Sequence, residues 1–213
     1  MRKLTNPSFE EEIRLWNLKF PFVIGIDEVG RGAYAGPIVG AGVIYKPNFK
    51  HSFLTNINDS KLLSSKQREE LNILIKNYCL FYAIEAIETP YINKFGIGKA
   101  NSAVFRKVLK KLILKIESSN YFILVDGFHK KYLPGGIKKQ KGILKGDQKS
   151  ISIASASIIA KVYRDNLMRE YSNSYPSYKF EQNKGYGTLI HREAIKKHGL
   201  TIFHRTSFNL RGI

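Results

Sequence analysis

Apolar positions along this chain follow two rhythms that alternate. Residues 22–27 and 38–45 form two near-continuous apolar runs and read as strands. The glycine-rich stretch between them, with Gly40 and Gly42 inside the second run, predicts a tight hairpin with close backbone approach. "YCLFYAIEAI" (78–87) predicts a third strand. Just before it, Ser64 and Gln67 stand at capping-box spacing and predict a helix start. Phe105, Leu109, Leu112 and Ile116 recur at helical spacing and predict a helix over about 101–116, with Arg106, Lys107, Lys110, Lys111 and Lys115 on its solvated face. "YFILVDG" (121–127) reads as a strand buried on both faces, a pattern of parallel sheets. "KGILKGD" (141–147) predicts a weaker strand ending at Asp147. Residues 150–171 read as a helix whose many small residues let it lie close to a sheet, and a last helix over 189–197 is stopped by Gly199.

Three strands of hairpin character, then helices alternating with strands, point to an α/β fold with a mixed sheet and helices on both faces. The chain has 213 residues, enough for one core, so one domain over 1–213 is expected. The stretch from about 175 is a small C-terminal helical appendage within it. No repeat or low-complexity block interrupts the sequence.

Charge changes this picture. Lys and Arg number 35 against 17 acids, a formal net charge of +18. Such an excess favours a polyanionic partner, because binding releases counterions; a lysine-rich surface that only keeps the chain soluble is the plainer alternative. Cys79 is the sole cysteine, expected in the core, which rules out an intramolecular disulfide and a cysteine metal cluster. No apolar run is long enough to span a bilayer, and residues 1–16 carry acids where a signal peptide would be apolar, so a cytoplasmic protein is expected.

The candidate chemistry lies in acids at predicted strand ends: Asp27 with Glu28, Asp126, and Asp147. Gathered on one edge of a sheet, four carboxylates repel one another and stay ionised only around cations. Oxygen-only ligands suit Mg²⁺ or Mn²⁺, and a pair of ions can clamp the attacking and leaving oxygens of a phosphodiester. One difficulty stands: strand residues alternate faces, so Asp27 and Glu28 cannot both ligate from a regular strand unless the chain bends or one binds through its carbonyl. Asp165 is a competing acid, but Lys161 and Arg169 lie at helical pairing distance and give it a structural role.

Taken together, "GIDEVGRG", "AGPIV", "NDSKLLS" (58–64), "VDG" (125–127), "KGD" (145–147), "ASIIAKVYRD" (156–165), "KGYGT" (184–188) and "HRTSF" (204–208) resemble the bacterial ribonuclease HII family, type 2 ribonucleases H. The resemblance runs from residue 24 to 208 and keeps the family's motif order. It implies a ribonuclease H-like fold and a metal-dependent endonuclease of ribonucleotide excision repair. Such an enzyme hydrolyses the RNA strand of RNA–DNA hybrids and cuts 5′ of a single ribonucleotide in duplex DNA, leaving 3′-hydroxyl and 5′-phosphate ends.

Carried over by motif, the catalytic and metal-binding acids are Asp27, Glu28, Asp126 and Asp147, holding two Mn²⁺ or Mg²⁺ ions during catalysis. Asp27 and Asp126 would bridge them; Glu28 and Asp147 would complete the shells. Gly30, Arg31 and Gly32 resemble the loop that senses the 2′-hydroxyl, the group that separates RNA from DNA; alone, such a tripeptide is an ordinary turn. Tyr186 resembles the tyrosine that stacks on the deoxyribose after the ribonucleotide. Lys61, just before a predicted helix start, is a phosphate contact. His191, His204, Arg205 and Ser207 lie in a C-terminal stretch with no acid after Glu193 that would track phosphates, a core role for His204 and Phe208 being the alternative. The run 130–149, with seven lysines and one acid, reads as a flap toward nucleic acid, or else as a solvated loop.

Two departures from the family pattern stand out. Ala33-Tyr34 replaces the usual Pro-Leu, which should loosen the loop, and Asn183 replaces a common His. The expected partners are RNA–DNA hybrid and ribonucleotide-containing duplex DNA, with no membrane and no obligate protein partner, the chain acting as a monomer. Two other readings compete: a resolvase-like two-metal DNA nuclease on the same fold, and a non-catalytic nucleic-acid-binding protein. A DNA-only enzyme needs no 2′-hydroxyl sensor, and unfilled acids would weaken phosphate binding.

Overall fold

The structure, a computed structural model, describes residues 6–210, so the extreme ends of the expected 1–213 domain, and the start of the acidic N-terminal stretch, lie outside the described residues. Five strands form one sheet: β1 (Phe22–Val29), β2 (Ile38–Ile44), β3 (Phe81–Ile87), β4 (Tyr121–Asp126) and β5 (Gln140–Ile143). Their order is β3-β2-β1-β4-β5. β1 pairs antiparallel with β2, which pairs antiparallel with β3; β4 runs parallel to both β1 and β5. This is the mixed sheet expected from the hydrophobic pattern.

Six α-helices accompany it among the described residues: α1 (Glu10–Asn17), α2 (Ser65–Tyr78), α3 (Thr89–Ile116), α4 (Ile151–Ser174), α5 (Phe180–Asn183) and α6 (Leu189–His198). The capping box forms: Ser64 Oγ accepts from the Gln67 amide, and Gln67 Oε1 accepts from the Ser64 amide at 2.9 Å. One face of the sheet is covered by α3. Ile24, Ile26, Ile123 and Val125 meet Val104, Phe105, Val108 and Leu112 there. α4 covers the other face. A Cβ on Gly25 would lie 2.3 Å from the Ser152 backbone, so the glycine lets the start of α4 rest directly on β1.

Several expectations need correction. The β1–β2 connection, residues 30–37, is no tight turn but a long loop held by distant parts of the chain. What approaches Gly42 is not another backbone but side chains of α3: a Cβ there would meet Leu112 Cδ1 at 2.7 Å. The helix expected at 101–116 starts somewhat earlier, just after Gly96 (φ 80°), where the chain kinks away from a preceding helical stretch that begins at Thr89. β5 ends at Ile143, so Asp147 sits not at a strand end but in a 3₁₀ turn, Gly146–Gln148. Cys79 is half-buried at the C-cap of α2, its thiol pushed up to about 11 by burial. No helix among the described residues is long and apolar enough to cross a membrane.

α1 is not visible in the apolar rhythm because it is short and opens with three acids. One of them, Glu12, is buried, and it organises the start of α4. Its Oε1 accepts from Ser150 Oγ (2.6 Å), Ser152 Oγ (2.6 Å) and the Ser152 amide (3.0 Å). A carboxylate at a helix N-terminus meets both free amides and the positive end of the dipole.

Candidate active site

β1 and β4 run parallel side by side until Ile26 and Val125, after which β1 continues to Val29 beside β2 alone, bringing Asp27, Glu28 and Asp126 to the carboxyl edge of the sheet, where open α/β sheets place their ligands. The 3₁₀ turn after β5 adds Asp147. The geometry there is fixed by main-chain amides: Gly146 N donates to Asp126 Oδ1 (2.7 Å), and Glu28 N donates to Asp27 Oδ1 (2.7 Å). A cavity of about 420 Å³ opens at this edge, bordered by all four acids and by Gly30, Arg31, Gly32, Lys61 and Tyr186. The four expected acids and Gly30, Arg31, Gly32, Lys61 and Tyr186 are thus brought to one place, whereas the residues expected to contact phosphates from the C-terminal stretch are not among them.

The strand pleat is respected. Asp27 leans to the α4 face, beside Ser157, and Glu28 to the α3 face, beside Asn101, whose Nδ2 stops short of hydrogen-bonding geometry. Both still border the cavity, because it opens where the pairing of β1 with β4 stops and the two faces meet. Neither a bend nor a main-chain contact is needed to bring both carboxylates to the cavity wall.

The acids are short of positive charge. Asp27 is pushed well above the ordinary carboxylate range by burial, then by Asp126 and Glu28. Glu28 is raised by burial, with Lys130 and Arg31 pulling the other way. Asp147 is raised by burial, Asp59 and Asp126, with Lys61 opposing. Carboxylates that raise one another in this way fit a bound cation, and an all-oxygen donor set fits Mg²⁺ or Mn²⁺. Asp27, Glu28, Asp126 and Asp147 are the residues that could hold such ions. Among the described residues no three acidic, His or Cys groups are drawn together into a finished ligand shell; the four carboxylates ring the cavity instead.

Lys61 Nζ lies 3.6 Å from Asp147 and 3.9 Å from Asp59. Burial works against its charge, but Asp59, Asp147 and Asp27 outweigh that and raise its pKa. The first amides of α2 are served by its own capping box, so at this edge it is the Lys61 side chain, not the helix start, that faces the cavity. Arg31 is largely exposed, with Nη1 3.9 Å from Glu28.

Sequence reasoning missed Asp59, Ser60, Ser157 and Lys161. Asp59 is buried and organises Lys61: its Oδ1 accepts from the Lys61 amide (3.0 Å) and its Oδ2 from Gln148 Nε2 (3.2 Å). Ser60 Oγ meets Ser157 Oγ at 3.0 Å, placing a hydroxyl pair beside Asp27. Ser60, Ser157 and Lys161 border the cavity. The aspartate and serine lie inside "NDSKLLS", next to Lys61, and that adjacency was the available signal. Asp165 has the structural role expected: Lys161 Nζ pairs with it at 2.7 Å.

The tail does not track phosphates; for His204 and Phe208 the alternative core role holds. His191, His204 and Arg205 are fully buried and do not present themselves to phosphates. The two imidazoles meet at Nε2···Nε2 3.1 Å, and Ser207 Oγ donates to the Ile92 carbonyl. The residues after 175 pack Tyr178, Phe180, Ala194 and Ile195 against Ala35 and Met168, so the appendage buttresses the loop between β1 and β2. That loop is not loosened at Ala33-Tyr34. The Tyr34 and Ala35 amides donate to the Gly185 carbonyl (2.8 and 3.1 Å), and the Arg205 amide donates to the Tyr34 carbonyl (2.8 Å). Asn183 shapes the neighbouring turn, donating to the Tyr178 carbonyl (2.7 Å) and accepting from the Gly185 amide (2.8 Å). In the 130–149 flap, Lys139 turns inward to the Ser119 carbonyl and Lys141 pairs with Glu11 at 2.6 Å, so part of its charge is spent within the molecule.

Comparison with known proteins places this arrangement. A family model described as ribonuclease HII matches residues 24–211. The chain is similar to ribonuclease HII of Clostridium perfringens (strain 13), 44% identical over 98% of this chain and 77% of the relative. It is similar also to that of Clostridium acetobutylicum, 48% identical over 87% and 71%. Among solved structures, Bst-RNase HIII in complex with Mn²⁺ superposes with a TM-score of 0.70 at 22% identity, covering 92% of this chain and 70% of that one. The PCNA:RNase HII complex from Archaeoglobus fulgidus gives 0.68 at 24%, covering 90% and 97%. At these identities the two structures speak for the fold.

Proposed function

This chain belongs to the ribonuclease HII family, and from that premise we propose that it cuts 5′ of single ribonucleotides in duplex DNA as well as the RNA strand of RNA–DNA hybrids. It is a divalent-metal-dependent ribonuclease H; the proposal adds the embedded ribonucleotide, the 3′-hydroxyl and 5′-phosphate ends, and the residues that do the work. The observation that carries it is the single cavity where four carboxylates adjoin a Gly-Arg-Gly loop and Tyr186.

In this reading Asp27, Glu28, Asp126 and Asp147 hold two Mg²⁺ or Mn²⁺ ions. Bound there, the ions supply charge neutralisation for the attacking and leaving oxygens of an in-line displacement. The chain's own groups do the rest. The Gly146 amide holds Asp126, and the Glu28 amide holds Asp27, so neither carboxylate has to reorganise on binding. Peptide groups of Gly30–Gly32 approach the 2′-hydroxyl closely because no side chain at the glycines stands in the way. Lys61 and Arg31 reach backbone phosphates. The Tyr186 ring covers the next sugar and rewards one that lacks a 2′-hydroxyl.

The test is a panel of three labelled duplexes: DNA with one ribonucleotide, RNA–DNA hybrid, and DNA alone, each with Mg²⁺, Mn²⁺ or chelator. The proposal expects metal-dependent cutting of the first two and none of the third. An intact single-ribonucleotide duplex with both metals would defeat it, and equal cutting of all-DNA duplex would favour a DNA nuclease.

A further inference from the structure

Two loops meet at the sugar-reading side of the cavity: residues 30–37, after β1, and residues 184–188, before α6. Behind them lie Arg164 of α4 and Arg205 of the tail, both fully buried. The guanidinium of Arg164 donates to three main-chain carbonyls. Nε reaches Pro37 O (2.9 Å) and Nη2 reaches Ala35 O (3.0 Å), both on the first loop; Nη1 reaches Lys184 O (2.8 Å) on the second. The same side chain lies directly beneath Gly30, where a Cβ would fall 2.1 Å from Nε, and its Cζ stands 5.5 Å from the centre of the Tyr186 ring. Arg205 adds a second clamp on the first loop, donating to Gly36 O (2.9 and 2.8 Å) and Arg31 O (3.0 Å).

We infer that Arg164 is a positioning residue that binds the two sugar-reading loops into one rigid unit, so that the 2′-hydroxyl and the following deoxyribose are read together. The inference rests on the sugar-reading roles proposed above for Gly30–Gly32 and Tyr186. A guanidinium offers five donors in a fixed planar fork, so it can hold carbonyls of two loops in one geometry. Once buried, its charge is costly unless those carbonyls stay in place. Neither loop can leave without stranding a buried cation, and the loss at one loop is therefore felt at the other. The Tyr34 and Ala35 amides, both bonded to Gly185 O, close the same seam from the front. Tyr34 also lays its ring on Gly187, where a Cβ would fall 2.3 Å from Cε2. A substrate with the right sugar at one loop and the wrong one at the other then loses the fit at both.

Two measurements test this. In the wild-type chain, native-state hydrogen exchange of amides 30–36 and 184–188 should show one opening with a common denaturant dependence; separate openings would overturn the coupling. Arg164→Lys keeps the charge but cannot span three carbonyls. It should lower kcat/KM on single-ribonucleotide duplex by roughly tenfold more than on continuous hybrid, the scale of one or two charged hydrogen bonds. An equal fall on both substrates, alongside a lower Tm, would reduce Arg164 to a structural residue and overturn the inference. If Arg164→Lys fails to fold, the exchange measurement on the wild type still decides. A wild-type chain that leaves the single-ribonucleotide duplex intact would defeat the functional proposal instead, and the exchange result would judge the coupling by itself.

Discussion

Asp27 and Glu28 are sequence neighbours that lean to opposite faces of one strand, yet both border one cavity, which opens where the pairing of β1 with β4 stops. The pair, with Asp126, was legible from strand-end position. Asp147 was legible only through its motif, since the strand thought to carry it stops at Ile143. Arg164 and Arg205 were not legible as supports, because a buried arginine looks like any other basic residue until its carbonyl partners are known. At this scale Tyr186→Ala should depress cleavage of single-ribonucleotide duplex more than of continuous hybrid, measured as kcat/KM on each; equal losses would reject stacking on the following sugar. His204 offers a pH test. Burial, then His191, lowers its pKa from 6.5 to about 4. The unfolded chain therefore takes up that proton first on acidification. Stability from this group is full above about pH 6.5 and is lost as pH falls toward 4, by at most about 3 kcal/mol. Raised carboxyls such as Asp27 and Glu12 act in the opposite sense, so the effect is read as a difference. Unfolding free energy of His204→Gln, followed from pH 7 to 4, should fall less steeply than that of the wild type; parallel slopes would contradict the assignment.

Elements were legible where rhythm and caps agreed. The capping box at Ser64 and the apolar β4 run formed as expected because each is a local signal with one solution. α1 escaped because its buried face holds a carboxylate, Glu12, whose partners Ser150 and Ser152 lie far along the chain. The long loop after β1 escaped for a related reason: glycines suggest a turn, but what holds residues 30–37 is Arg164, Gly185 and Arg205, all remote in sequence. Gly40 and Gly42 were read as points of close backbone approach, whereas it is side chains of α3 that pack onto them. Gly42→Ala should cost about 1–3 kcal/mol, since its Cβ would press on Leu112 at 2.7 Å and Val108 at 2.9 Å in a packed core. The shift in denaturant midpoint at unchanged m-value measures it, and an unshifted midpoint would mean that α3 can retreat from the sheet without cost.

For the whole molecule, a sheet whose parallel strands β1 and β4 end at one edge gathers the acids, and an overall charge of +18 draws a polyanion toward them. Fold class followed from the strand and helix rhythm, whereas the substrate could be read only from motifs, since charge alone does not separate RNA from DNA. The tail, expected to touch phosphates, serves instead as the buttress behind the loop between β1 and β2. The central claim is that these carboxylates perform metal-dependent cleavage at a ribonucleotide. Asp126→Asn addresses it most directly, because the amide keeps Oδ1 as acceptor for the Gly146 amide and removes only the charge. With one labelled single-ribonucleotide duplex and Mn²⁺, the account predicts that this variant still binds the duplex while cleavage is abolished. Near-normal turnover by Asp126→Asn would contradict it.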